Sequence, residues 1–119
     1  MEFYCGGLGL TQKRQLSPRW VELAGANLPL LLLADRPAMA ELGATKVPRD
    51  FGRHWTPVHL DFIVTNLDEM VARLCHLGAS LDPDIQIREY GRIANLADPF
   101  GNGFALMEFS GPGYDHVKR

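Results

Sequence analysis

One short segment, Asp98-Pro99-Phe100-Gly101-Asn102, constrains the fold of this chain more than any other. Proline fixes φ at an early turn position, glycine and asparagine tolerate positive φ, and aspartate accepts a hydrogen bond from the backbone two residues on. The apolar residues 103–109 follow directly. The segment therefore predicts a tight turn that leads into a buried final strand.

The length of the chain, 119 residues, predicts a single domain. A domain of this size buries roughly two thirds of the surface of its unfolded chain, so it folds without a disulfide or a metal. Cys5 and Cys75 are too few for a disulfide framework and lack CxxC spacing. This cysteine usage fits a reducing compartment, and we expect a cytoplasmic protein.

The charge pattern argues against two classes of partner. The net charge is −2, with acidic and basic residues interspersed, so there is no basic stripe for nucleic acid and no polybasic patch for a membrane. Residues 1–10 lack the pattern of a signal peptide, and the longest apolar run, residues 28–34, is far shorter than the roughly 20 residues of a membrane helix. We therefore expect neither nucleic acid nor a membrane as partner.

Periodicity and turn residues divide the chain into two halves joined by a polar linker. Thr65 with Asp68, or Asn66 with Glu69, offers a capping arrangement for one amphipathic helix that ends at Gly78. Asp82 and Asp84 flank Pro83 in a predicted turn, where carboxylates usually cap backbone N–H groups. The predicted strands are residues 19–24, 28–34, 58–64, 85–89, 92–97 and 103–109, with residues 11–15 as a further short candidate. The predicted linker is residues 35–56, with one helical turn around residues 38–42, and the tail begins at residue 111.

The order of elements indicates an internal repeat. The first half runs helix end, strand, strand, turn and strand, and the second half runs strand, helix, strand, strand, turn and strand. The first half thus lacks the opening strand of the second. Either the chain begins late or a partner subunit fills the gap on the sheet, because an open edge invites aggregation.

Several motifs together resemble the vicinal oxygen chelate superfamily, which includes glyoxalases, bleomycin-resistance proteins and extradiol dioxygenases. The resemblance covers roughly residues 3–109, and it is more specific in the second half than in the first. It implies an α+β fold of paired βαβββ modules whose curled mixed sheet encloses a cavity, commonly with a homodimer. The modules would be residues 1–34 and 57–110, within one domain of residues 1–119. The motifs are Phe3-Tyr4, Leu8-Gly9-Leu10, Val58-His59-Leu60-Asp61-Phe62, Leu77-Gly78-Ala79, Gly91-Arg92 and the turn 98–102.

The resemblance also implies where metal ligands would stand in the metal-dependent members. His59 takes the position of the opening-strand histidine, but Ala105 stands where the closing-strand glutamate is expected. Glu108 faces the opposite side of a regular strand and replaces that ligand only if a bulge resets the alternation. A catalytic metal site usually needs three protein ligands. His59 and Glu108 are thus weak metal candidates, and we expect no cofactor, with a divalent metal as the alternative.

Alternation along the strands and the resemblance together predict the ligand-binding side chains. Residues on one side of the opening and closing strands would make a mainly apolar wall with one polar corner, which suits an amphiphilic or aromatic ligand. No catalytic residue is assigned. The predicted ligand-binding residues are His59, Asp61, Ile63, Arg92, Ala105, Met107, Phe109 and Trp20.

Three functions are consistent with these features. The favoured one is metal-free binding of a small organic molecule in a cavity, by a homodimer of the resistance-protein type. The first alternative is a metal-dependent lyase, isomerase or dioxygenase whose missing ligands come from a preceding segment or a second subunit. The second alternative is a degenerate module that only assembles with partners. Whether the protein is an enzyme is left open by the sequence.

Overall fold

The structure is a computed structural model that describes residues 2–25, 31–34, 39–50, 52–56 and 58–113, with the backbone alone at residues 20, 31–34 and 40–42. It contains two compact units, residues 1–51 and 52–119. The predicted tail beyond residue 113 lies outside the described residues. The predicted α+β class is confirmed, because one α-helix accompanies nine strands among the described residues.

The second unit is a βαβββ module. Its elements are β6 (Leu60–Ile63), α1 (Leu67–His76), β7 (Ser80–Arg88), β8 (Gly91–Ala97) and β9 (Gly103–Phe109). The strands form one sheet in the order β6-β9-β8-β7, in which β6 runs parallel to β9 and the other pairs are antiparallel. The helix connects β6 to β7, so the two edge strands of this sheet are consecutive in sequence.

The turn at residues 98–102 has the predicted chemistry. Asp98 Oδ1 accepts hydrogen bonds from the backbone N–H groups of Phe100 and Asn102, both at 2.9 Å. Asn102 Nδ2 donates to Asp98 Oδ2 at 2.9 Å, and Gly101 carries the positive φ of 91°. Ala97 and Gly103 pair on either side of the turn, which sets the register of β8 against β9.

Helix α1 begins and ends as its sequence predicts. Asn66 is the N-cap residue, since its side chain accepts from the Glu69 N–H at 3.1 Å and donates to the Glu69 carboxylate at 3.3 Å. This is the second of the two predicted capping pairs. At the other end, the Ala79 N–H donates to the Leu74 carbonyl at 2.9 Å, which closes the last turn just after Gly78.

Alternation along the strands gives the sheet of the second unit a helix side and an opposite side. Leu67, Val71 and Leu74 are the buried residues of α1. The buried strand residues of the helix side are Ala94, Leu96, Phe104 and Leu106. On β6 the same side is less covered than predicted, because Leu60 is 40% exposed and Val58, just before the strand, is 83% exposed.

The described part of the first unit contains a short helix, a three-stranded sheet and a separate two-stranded hairpin. A short π-helix, Phe3–Gly7, precedes β1 (Thr11–Ser17), β2 (Trp20–Ala24) and β3 (Leu31–Ala34), which form an antiparallel sheet in that order. Leu10, Val21 and Leu23 are its buried core. Glu22 faces away from that core and forms ion pairs with Lys13 and Arg14 of the neighbouring strand. The predicted residues 28–30 of β3 lie outside the described residues.

Two local predictions are wrong. The helical turn was predicted around residues 38–42, but residues 39–42 form a strand, β4 (Met39–Leu42), which pairs with β5 (Thr45–Pro48) in a hairpin. The predicted turn at Pro83 is instead part of β7, which starts at Ser80 and shifts register between Asp82 and Gln86. Proline is tolerated there because β7 is an edge strand and its ladder is already irregular.

Among the described residues, no helix has the length and apolar character that a membrane crossing requires.

The backbones of β8 and β9 approach each other closely at Gly91. Its φ is 144°, and a Cβ atom there would lie 2.0 Å from the Glu108 carbonyl oxygen. We expect Gly91→Ala to lower the free energy of unfolding by about 3 kcal/mol or more, because a backbone cost of about 1–2 kcal/mol adds to an overpacking cost of about 1–3 kcal/mol. Urea denaturation followed by circular dichroism measures the change.

Gly43→Ala is the matched control, because Gly43 also has positive φ, 62°, but nothing within 4 Å of its Cβ position. We expect it to show the backbone cost alone, about 1–2 kcal/mol. Equal losses in the two variants would contradict the close approach at Gly91.

Candidate functional site

The register of β6 against β9 brings four of the predicted ligand-binding residues together. Asp61 pairs with Ala105, and Ile63 pairs with Met107. Because paired residues of neighbouring strands point to the same side of a sheet, these four side chains lie on the side opposite to α1. Phe109 lies two residues beyond Met107 on β9 and shares that side by alternation. These five predicted residues therefore share one side of the sheet of the second unit.

His59 and Asp61 form the polar part of this surface. His59 Nε2 and Asp61 Oδ1 are 3.1 Å apart, and the two side chains are 36% and 44% exposed. The ring of Trp55 meets the imidazole edge-to-face, with 5.0 Å between ring centroids. When Nε2–H is donated to Asp61, neutral His59 offers Nδ1 as a hydrogen-bond acceptor. The pair is thus a fixed polar corner that faces solvent.

Exposure differs strongly across the rest of the surface. Ala105 and Met107 are 3% and 2% exposed, whereas Ile63 is 56% exposed. The ring of Phe109 is covered by the following turn, since a Cβ atom on Gly113 would lie 2.8 Å from it. On this side of the sheet, His59, Asp61 and Ile63 are therefore open to solvent, whereas Ala105 and Met107 are buried beside them.

Arg92 and Glu108 lie on the other side of the sheet, together. Arg92 Nε and Nη2 donate to Glu108 Oε1 at 3.1 and 2.9 Å, and Nη2 also donates to Asp68 Oδ2 at 2.9 Å. The Leu67 N–H donates to Glu108 Oε2 at 2.8 Å. Arg92, predicted as a ligand-binding residue, is thus placed in a link between α1 and the sheet. It does not share a surface with His59 and Asp61.

The same link shifts two ionisation equilibria. The Leu67 N–H first, and the Arg92 guanidinium second, lower the pKa of Glu108 below its usual value. Hydrogen bonds to Asp68 and to Glu108 raise the pKa of Arg92. Both shifts favour the charged forms, so the ion pair persists at neutral pH.

The donor set does not fit a tightly held metal ion. His59 and Asp61 supply two donors, Ala105 supplies none, and the Glu108 carboxylate is engaged on the opposite side of the sheet. Within the described ranges, no three His, Cys, Asp or Glu side chains converge. A catalytic zinc or iron site needs about three protein ligands.

The remaining predicted ligand-binding residue, Trp20, has its side chain outside the described part of the structure.

Three further residues, which the sequence did not predict as part of the site, lie on the same side of the sheet as His59 and Asp61. Asn95 pairs with Ala105 and with Asp82, and Ile93 pairs with Met107. Asp61, Ala105, Asn95 and Asp82 thus form one row across all four strands. The alternation of β8 could have suggested Asn95, but only the pairing with β9 shows which side of β8 is involved.

The segment before β6 lies over this row at one end. Arg53 forms an ion pair with Asp82, and its guanidinium carbon is 4.6 Å from the centroid of the Trp55 ring. A Cβ atom on Gly103 would lie 2.9 Å from Trp55 Cε3 and Cζ3. Trp55 therefore rests directly on the backbone at the start of β9.

A separate groove of about 190 Å³ lies beside the N-terminus of α1 and shares no residue with this surface. Its lining residues are Val64, Thr65, Asn66, Glu69, Met70 and Arg73.

Comparison with known protein families gives one match over most of the chain. Residues 1–107 match the model of the glyoxalase-like domain. The anthracycline biosynthesis protein DnrV of Streptomyces peucetius is 33% identical over 109 residues, which are 90% of this chain and 35% of that protein. The chain thus spans about a third of the length of this curated relative.

Solved structures share the fold. TnmS3, an antibiotic binding protein from Streptomyces sp. CB03234, superposes with a TM-score of 0.58 at 24% identity, over 92% of this chain and 83% of that one. The fosfomycin resistance protein FosX from Listeria monocytogenes gives a TM-score of 0.67 at 18% identity, over 98% and 83% of the two chains. At these identities the similarity establishes the fold alone.

The lowered pKa of Glu108 predicts a pH-dependent contribution to stability. A carboxyl group whose pKa is lowered on folding stabilises the protein above its unfolded pKa, about 4.3, and this contribution is lost as the pH falls through the folded value. We expect Glu108→Gln to lower the urea midpoint at pH 7, and we expect the difference from wild type to shrink below about pH 4.3.

Glu89→Gln is the control, because Glu89 is exposed in the turn between β7 and β8. Its urea midpoints should follow those of wild type from pH 7 to pH 3. A constant difference between Glu108→Gln and wild type over this range would contradict the assigned role of the Glu108 carboxylate.

Proposed function

The chain belongs to the glyoxalase-like domain family of the vicinal oxygen chelate superfamily, and from this we propose that it binds a planar, amphiphilic organic molecule without a metal ion. The proposed site is the surface of the second unit that carries His59, Asp61 and Ile63. Ala105 and Met107 are buried directly beside these residues.

One observation carries the proposal, namely the pairing of Asp61 with Ala105. It puts a methyl group beside the polar corner, where the metal-dependent members are expected to carry a carboxylate. The next pair, Ile63 with Met107, is apolar throughout. Small-molecule sites typically combine such apolar surface with few polar groups that set orientation. Shape and burial would therefore supply affinity, and His59 with Asp61 would orient the ligand.

The names of related proteins support a class of ligand. DnrV is described as an anthracycline biosynthesis protein and TnmS3 as an antibiotic binding protein. Anthracyclines carry a fused, planar ring system with polar groups at its edge. A molecule of that chemistry matches an exposed apolar side chain, Ile63, next to a hydrogen-bonding pair. We propose a fused-ring aromatic antibiotic, or a precursor of one, as the ligand.

The metal-dependent alternative makes a different demand on the same surface. His59 and Asp61 would have to act as two ligands, and a third would have to come from outside the described residues or from a second chain. Because open catalytic sites depend on completed coordination, an enzyme of this type would require added metal for ligand binding. The metal-free proposal requires none.

Titration with anthraquinone-2-sulfonate, a soluble planar probe, separates the two. We expect binding by calorimetry and a raised melting temperature, both unchanged by EDTA or by added Zn²⁺. His59→Ala and Asp61→Asn should each weaken binding roughly 3- to 10-fold, the worth of about one hydrogen bond.

His76→Ala, on the exposed surface of α1, is the control and should bind as wild type does. Near-stoichiometric metal in the purified protein, lost in His59→Ala and required for binding, would replace the proposal with the metal-dependent alternative. Absence of binding together with normal folding would favour the assembly module.

We also propose a homodimer formed through the β6 end of the second unit. Among the described strands, β6 pairs only with β9, and Val58 and Leu60 are 83% and 40% exposed. Exposed apolar edge strands are normally covered or blunted in native proteins. We expect light scattering to give twice the monomer mass for wild type and the monomer mass for Val58→Lys. A monomeric wild type would contradict this proposal.

A further inference from the structure

Five side chains form an unbroken series of contacts across the sheet of the second unit. The series runs from Asp82 on β7, one edge strand, to Asp61 on β6, the other edge strand. Between them lie Arg53, Trp55 and His59, all from the segment that precedes β6. The contacts are the ion pair of Arg53 with Asp82, the stacking of Arg53 on Trp55, the ring contact of Trp55 with His59, and the hydrogen bond of His59 with Asp61.

The ring of Trp55 packs against the backbone of β9. Gly103 is the first residue of β9, and a Cβ atom there would lie 2.9 Å from Trp55 Cε3 and Cζ3 and 3.1 Å from Arg53 Nη1. Real Cβ atoms essentially never come within 3.0 Å of another atom, so any larger residue at position 103 would force the indole ring to move. Gly103 is on the same side of β9 as Ala105, two residues away or roughly 7 Å along the strand.

Trp55 is held in place yet remains 41% exposed. Arg53 lies over its ring, His59 meets it edge-to-face, and Gly103 supports its benzo edge. An exposed aromatic side chain with its orientation already restrained contributes to binding at a small cost in side-chain entropy. It lies at the His59 end of the surface proposed above, so a ligand that extends from Ile63 and Asp61 as far as His59 also meets the indole ring.

We propose that Trp55 is the specificity-determining residue of this site, and that Arg53, anchored by Asp82, is its positioning residue. This inference rests on the proposed function and adds the size of the ligand to it. Ile63 and Asp61 lie about 7 Å apart along β6 and hold one end of a planar molecule. A longer molecule held there extends over His59 to the ring of Trp55, whereas a shorter one ends before it. The site therefore selects fused ring systems by length.

The length dependence is tested with two planar sulfonates, naphthalene-2-sulfonate with two rings and anthraquinone-2-sulfonate with three. Calorimetry measures the ratio of their dissociation constants. We expect Trp55→Ala to weaken binding of the three-ring probe at least 10-fold and to change binding of the two-ring probe less than twofold. Trp55→Phe should retain most of the preference, because a smaller ring remains at the same place.

The packing of Trp55 against Gly103 and Arg53 is tested without removing Trp55. Gly103→Ala should displace the indole and lose the preference for the three-ring probe, and Arg53→Gln should lower it roughly threefold. Arg73→Gln, an exposed arginine on α1, is the matched control and should leave the ratio unchanged. In a Trp20→Phe background, quenching of Trp55 fluorescence by acrylamide should rise in Gly103→Ala and Arg53→Gln without any ligand.

The outcomes separate this inference from the function on which it rests. Binding of both probes with an unchanged ratio in Trp55→Ala overturns the role of Trp55 and leaves the proposed function standing. Unchanged acrylamide quenching in Gly103→Ala would contradict the claim that Gly103 holds the Trp55 ring in place. Failure of wild type to bind either probe overturns the proposed function for planar ligands, and the role of Trp55 with it.

Discussion

The Asp98 carboxylate is the interaction on which the rest of the second unit depends. Asp98 is 4% exposed, and its two oxygens accept hydrogen bonds from Phe100, from the Asn102 backbone and from the Asn102 side chain. These bonds close the turn between β8 and β9 and pair Ala97 with Gly103. In a strand, a slip of one residue moves every side chain to the other side of the sheet. The turn therefore decides which residues of β9 face α1 and which lie on the side of the candidate site.

This register gives the two sides of one sheet different chemistry. On the helix side, Glu108 and Arg92 join the sheet to the start of α1 by charge-assisted hydrogen bonds. On the other side, the absence of a side chain at Gly103 leaves room for the Trp55 ring, and Ala105 places only a methyl group beside Asp61. Stability and the candidate site thus share β9 without sharing residues.

Much of the second unit was predictable because its signals are local. The Asn66 cap, the helix end near Gly78 and the turn at Asp98 each lie within a few residues of their partners. The alternation of β6 and β9 also placed Asp61, Ile63, Ala105 and Met107 on one side. Pro83 misled the prediction, because its cost in a strand disappears at a sheet edge, and no local pattern shows that β7 is an edge.

The sequence by itself determined the family motifs, the turn and cap chemistry, and the presence of alanine at position 105. Only the tertiary structure decided that Arg92 faces α1 while its neighbour Ile93 faces the candidate site, because parity on β8 follows from its pairing with β9. It also decided that Arg53 meets Asp82, 29 residues away. Local preferences act over a few residues, whereas these contacts depend on how separate strands align, and that alignment is a property of the whole sheet.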